Sequence, residues 1–193
     1  MTGKDVLQMQ LTASFNLLDE RIQKVTDREW TGRPIPGASL PGFTLWHTSR
    51  IIDWAIHCAI QGMPEVADRP EWKRLLASEA AYGAGITDDL ADQVARTVSK
   101  VDLRTYLGAV RTVSLGWLKS VADTDLDRVP DLHGHQRSNP RYLEPPIWAE
   151  VSSLAGQPTW QILARPPISH VRIHLGEVDM ALQTLRERAT ARG

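Results

Sequence analysis

The stretch TLWHTSRIIDWAIHCAIQ, residues 44 to 61, is apolar on most sides when wound as a helix. A helix that is hydrophobic nearly all round belongs at the centre of a domain and not on its surface. The spacing predicts a helix from Phe43 or Thr44 to Gln61, with Gly62 as its C′ residue and Pro64 as its stop. Ahead of it, TGRPIPGASLPG (31–42) holds three prolines and three glycines and rules out helix there.

A central helix needs others to cover it. At the N-terminus, Thr2 and Asp5 fit a capping box. Leu7, Leu11, Phe15, Leu18, Ile22 and Val25 then recur at steps of three or four, one apolar stripe over about five turns. Residues 63 to 100 read as a long crossover with helical pieces of its own. RPEWKRLLASEAAYG (69–83) has Pro70 near a helix start and Gly83 near its end. TDDLADQVARTVS (87–99) has Thr87 as cap and Asp88 and Asp89 in the first turn, where they favour the helix dipole. A third long helix is expected from Asp102 as N-cap, burying Leu103, Tyr106, Leu107, Val110, Val113, Trp117 and Val121. Residues 123 to 158 lose periodicity and contain Pro130, Pro140, Pro145, Pro146 and Pro158. A connection of that length is a binding loop or lid, or else unstructured, with PIWAEVSSL (146–154) as a short helix inside it. The last long helix is expected from about Ile168 to Arg188, with Pro167 in its first turn. Four long helices, no strand signal and two long connections predict an all-α fold, a four-helix bundle spanning residues 1–193 as one domain.

Composition bounds the function. The 193 residues are 42% hydrophobic and carry a net charge of -1, so no basic field invites nucleic acid. The opening MTGKDVLQMQLTASFNLL is broken by polar residues and reads as neither signal peptide nor membrane span. A single cysteine, Cys58, excludes an intramolecular disulfide. A cytoplasmic protein acting on a small-molecule substrate, without nucleic acid or membrane, is the expectation.

Histidines carry the candidate chemistry. His170 and His174, in PISHVRIHLGEV (167–178), stand four apart on one helix face. Side chains at that spacing are about 5–6 Å apart at Cβ, and Zn–N bonds of about 2.0–2.1 Å would let one ion sit between them. Chance also produces such a pair among six histidines, so the spacing alone does not decide between a metal and two ordinary side chains. His47 lies on the central helix and is either a hydrogen-bonded core residue or a third ligand from a facing helix. A three-histidine set would leave coordination positions open, as catalytic sites do. His57 is too far along the helix to share the ion. His133 and His135, in DLHGHQR (131–137), are either a solvated loop pair or a cover for the site. Glu177 could orient a ligand histidine, act on a metal-bound water or thiol, or be a surface charge. Arg50 could reach an anionic substrate, or pair with Asp53. Seven tryptophans are many for this length. Trp46, Trp54, Trp148 and Trp160 are candidate substrate walls or core residues.

GFTLWHTSRIIDWAIHCAIQGMPEV, the crossover W…GAGIT, VDLRTYLGAVRTVSLGWL and the final HVRIHLGEV together resemble the DinB-like superfamily of metal-dependent four-helix bundles. That superfamily includes bacillithiol and mycothiol S-transferases and the metal-binding domain of mycothiol-dependent maleylpyruvate isomerase. The resemblance implies His47, His170 and His174 as ligands, a long link between the second and third helices, and frequent dimers. One departure is the pair Pro166–Pro167, which would start the fourth helix late and place the site close to its end.

Three neutral imidazoles leave the full charge of a divalent ion (zinc or nickel, with iron and copper also suited to histidine) to acidify a bound water or thiol. Cys58 lies eleven residues from His47, about 16 Å along a helix, so a thiol reaction requires a thiol cosubstrate from outside. The leading expectation is a metal-dependent enzyme that activates a mycothiol- or bacillithiol-like thiol for transfer to an electrophile. Alternatives are a hydrolase using metal-bound water, a non-catalytic bundle that binds metal or a small ligand, and a metal-free bundle.

Overall fold

A computed structural model describes residues 1–75 and 80–191 of the chain. The first helix, α1, spans Gly3–Lys24 and opens on the expected capping box, with Thr2 and Asp5 bonding reciprocally to each other's backbone. Leu11, Phe15, Leu18 and Ile22 are buried along its stripe. A one-turn helix, α2 (Asp27–Trp30), follows with a second capping box formed by Thr26 and Glu29. The sequence reading missed it, because a single turn shows no periodicity.

The central helix, α3, spans Pro41–Asp53 and passes directly into a π-helical segment at Trp54–Ile60. It starts before Phe43 because Pro41 itself occupies the first turn, where its missing N–H costs no hydrogen bond. Every residue from Pro41 to Ile60 is buried, as the all-round apolar pattern requires. Gly62, at φ +64°, ends the helix.

The crossover holds 3-10 turns at Val66–Asp68 and Pro70–Leu75, then α4 (Asp88–Thr97) capped by Thr87. Of the helical piece expected over 69–83, residues 76–79 lie outside the described residues. Next, α5 spans Lys100–Ser120. Its N-cap is Ser99, not Asp102: the Ser99 hydroxyl accepts the Asp102 N–H at 3.0 Å and donates to the Asp102 carboxylate at 2.9 Å. A serine with an acidic residue three positions later is a capping pair that moves the start forward.

Residues 123–154 are not an open loop. They fold as a chain of short pieces: a 3-10 turn at Asp123–Asp127, α6 (Leu132–His135), two further 3-10 turns, α7 (Pro145–Val151) and a 3-10 turn at Ser152–Leu154. Prolines break the periodicity, yet Leu126, Leu132, Tyr142, Ile147, Val151 and Leu154 anchor the segment in the core.

The fourth long helix departs most from expectation. It begins with α8 (Thr159–Ala164), continues through a π-helical segment at Arg165–His170, and becomes α9 (Val171–Thr190). The double proline therefore lies inside the helix and not at its start. A residue before proline avoids the α region, and Arg165 departs from it at φ -90°, ψ -82°. Widening to a π turn relaxes the i→i−4 pattern that two prolines cannot satisfy. Burial of Ile162, Leu163, Pro166, Pro167 and Ile168 holds the helix together across the defect.

In the bundle α1 packs against α5 and α9, and α3 packs against the same two helices. No strand occurs among the described residues, and none of their helices is long and apolar enough to cross a membrane.

Candidate metal centre

The packing of α3 against α9 brings His47 to His170 and His174. The His47 ring centroid lies 5.3 Å from that of His170 and 5.0 Å from that of His174, and the latter two are 4.3 Å apart. One ring nitrogen from each falls within 4.8 Å of the others.

Hydrogen bonds decide which nitrogens face inward. His47 Nδ1 lies 2.5 Å from the Tyr82 carbonyl oxygen. A carbonyl only accepts, so Nδ1 carries the proton and Nε2 presents a lone pair. His174 Nδ1 lies 2.6 Å from a Glu177 carboxylate oxygen, which fixes the same tautomer. His170 and His174 approach through Nε2 at 3.1 Å. Two nitrogens so spaced can both stand about 2.0–2.1 Å from one ion. His170 Nδ1 is buried and meets no hydrogen-bond partner among the described residues.

Electrostatics keep the His47 and His170 rings neutral. Burial first, then the neighbouring His174 and His170, push the His47 pKa down to about 3. Burial and His174 push His170 down to about 4. Neutral imidazoles keep their lone pairs at pH 7, which a cation requires.

A tight turn positions the Tyr82 carbonyl. Ala81 has φ +45° and Gly83 φ +100°. A Cβ on Gly83 would stand 2.8 Å from His47 Nδ1, so the backbone's close approach to the ring depends on glycine. Arg50 Nη2 donates to the Ala81 carbonyl at 3.4 Å and braces the turn from below. This arginine is 1% exposed and pairs with Glu65 at 2.9 Å and Asp53 at 3.4 Å. Tyr106 donates to Asp53 at 2.5 Å, and Tyr142 donates to Glu65. Burial raises Glu65 to about 7 despite Arg50. Burial also works to raise Asp53, but its bond to His57, Arg50 and Tyr106 hold it below the ordinary carboxylate value.

The residues singled out from sequence thus divide. His47, His170, His174 and Glu177 come together. Arg50 is enclosed in its ion pairs and does not line the pocket beside the histidines. Trp46 and Trp54 are fully buried, Trp54 against Tyr82 at 4.9 Å between centroids. Trp148 packs on His133, and Trp160 is exposed. None of the four tryptophans lines that pocket: Trp46 and Trp54 are drawn into the core, and Trp148 and Trp160 lie elsewhere on the molecule. His57 bonds Asp53 at 2.6 Å; His133 packs on Trp148 and His135 Nδ1 bonds the Ala59 carbonyl at 2.9 Å, so neither histidine of the 131–137 segment covers the cluster. Cys58 is buried, and burial pushes its thiol up to about 12.

The pocket has a volume of about 190 Å³ and opens onto His47 and His170. Ile51, Val151, Leu154 and Ile173 give it apolar walls, with Glu150, Arg165 and Ser169 at polar points. A cavity of roughly 150 Å³ holds a benzene ring, so the pocket encloses one small group. Sequence reading missed Tyr82, which acts through a backbone carbonyl that any residue would supply. It missed Arg165 because the position looked like a connection before the helix.

A family model of the DinB superfamily matches residues 10–149. The chain belongs to the DinB superfamily. That match contains His47 and ends before His170 and His174, so the meeting of the three rests on the geometry above. No curated protein matches the chain. DinB proteins are metal-binding, and the residues here fit a metal ion: two of the three rings have their outer nitrogens occupied, and the donor set is entirely imidazole nitrogen.

Proposed function

We propose that this DinB protein is a metal-dependent enzyme that transfers a low-molecular-weight thiol, of the mycothiol or bacillithiol kind, to an electrophilic small molecule. His47, His170 and His174 are the ligands, and zinc or nickel suits their nitrogens. The observation that carries the reading is the convergence of three imidazoles, two of which, His47 and His170, open onto one pocket. A divalent ion held there supplies positive charge that favours the thiolate over the thiol. In the transfer, sulfur bonds the electrophilic carbon as a leaving group such as chloride departs, and the thiol proton is released to solvent. The thiol comes from outside, since Cys58 is buried and weakly acidic.

The chain's own residues do the rest. Tyr82 and Glu177 hold two rings in the ligating tautomer. The apolar walls exclude water from the reacting end of the thiol, while the body of a larger cosubstrate lies outside the small pocket. Residues 1–193 act as one domain, and the resemblance favours a homodimer.

The test is metal analysis followed by turnover. Purified protein is assayed for metal, then mixed with mycothiol, bacillithiol or glutathione and a chlorinated electrophile. Thiol conjugates with matching chloride release, lost in His47→Ala, are expected. Dechlorinated, hydroxylated product without thiol would point instead to water as nucleophile. Ligand binding with no turnover would point to a non-catalytic bundle.

A further inference from the structure

We infer that Arg165 makes this site selective for a ligand bearing a carboxylate about one helical turn from the atom that meets the metal. The inference rests on the proposed function and names its substrate class. The sequence reading looked for an anion-binding arginine at Arg50, but that side chain is 1% exposed and neutralised by Glu65 and Asp53. Arg165 is the reverse case. It is exposed, lines the pocket with His47 and His170, and its side chain has no ion pair or hydrogen bond among the described residues.

Its position follows from the π-helical segment at Arg165–His170. In a π turn, residues five apart are linked, as residues four apart are in an α turn. Arg165 and His170 therefore sit one turn apart on the same wall, roughly 5 Å along the axis. Ser169 on that wall donates to the Arg165 carbonyl at 3.1 Å, and its hydroxyl makes no bond to the guanidinium among the described residues. Glu150, also at the pocket, accepts the Gly85 N–H at 3.2 Å and makes no ion pair with Arg165 among the described residues. With a divalent cation on the three histidines, positive charge exceeds negative in the pocket, and the planar guanidinium matches a carboxylate. Most of the remaining lining is apolar, Ile51, Val151, Leu154, Pro166 and Ile173, and asks for a short hydrocarbon spacer.

The experiment compares 3-mercaptopropionate with its uncharged amide, titrated into cobalt-loaded protein and followed by visible absorption. Wild type should prefer the carboxylate, and Arg165→Gln should weaken carboxylate binding about fivefold, the scale of one partly exposed ion pair. Amide affinity and metal content should stay unchanged. Arg165→Lys should keep part of the preference, and high salt should shrink it. Equal binding of both ligands by wild type, or an unchanged ratio in Arg165→Gln, would overturn the inference. Metal-free protein titrated calorimetrically with the same pair gives a second arm. An Arg165-dependent preference there supports the carboxylate site even if the wild-type protein takes up no metal, a result that would sink only the proposed function. Absence of the preference in both arms overturns the carboxylate site.

Discussion

Glu177 shows how much one side chain's partner decides. It is more than half exposed, at 58% side-chain accessibility, and in sequence it looks like any surface acid. Its 2.6 Å contact with His174 Nδ1 makes it a positioning residue for a ring of the proposed metal site. Partners of this kind typically change metal affinity about 10–100-fold when removed. Glu177→Gln is expected to weaken metal binding within that range, measured by chelator competition, with unfolding midpoints of the metal-free protein nearly unchanged. Equal affinity in the variant would make Glu177 an ordinary surface charge. Gly83 makes the complementary case. A methyl group there would meet His47 Nδ1 at 2.8 Å and force an L residue to φ +100°. Gly83→Ala should therefore both destabilise the fold, by about 1 kcal/mol or more, and loosen the metal; Gly37→Ala, with open space around it but also φ +77°, should cost stability alone.

At the scale of elements, much was legible. The stripe from Leu11 to Ile22 placed α1, and the all-round apolar character of residues 44–61 placed α3 at the centre. The i,i+4 histidine pair was readable because local spacing fixes it. Legibility failed where tertiary packing overrides a local rule. Pro166 and Pro167 signal a helix start, and only their burial between α8 and α9 reveals that the helix passes through them. The pocket wall made by Val151 and Leu154 was equally hidden, since their segment has no periodicity and is held by what it packs against. The π turn has a testable consequence. Replacing both prolines by alanine restores two amide donors and removes the reason for widening. Stability should rise, by up to about 3 kcal/mol per proline. Metal affinity should fall, because closing the turn toward α moves His170 relative to His47. An unchanged affinity measured by chelator competition would mean that packing alone sets the π geometry.

Over the whole molecule, buried titrating groups link folding to pH. His47 and His170 are held at about 3 and about 4 in the fold, against about 6.5 in an unfolded chain. Between these values the unfolded state binds more protons, so stability falls as pH drops through that window. Glu65, raised to about 7, acts oppositely between about 4.5 and 7. Near pH 5–6 the two histidines outweigh the one carboxyl by roughly one proton, a slope of about 1.4 kcal/mol per pH unit. Denaturant titration of metal-free protein should show stability rising from pH 5 to 6, and the double variant His47→Gln, His170→Gln should flatten or reverse that trend. The central claim, however, is spatial: α3 and α9 deliver three imidazole nitrogens to a common ion. The direct measurement is a crystal grown with added zinc or nickel and no chelator, with anomalous scattering recorded at the metal's edge. One peak bound by Nε2 of His47, His170 and His174 at about 2.0–2.1 Å is expected; a His47 ring turned away, with the metal elsewhere or not taken up, would contradict it.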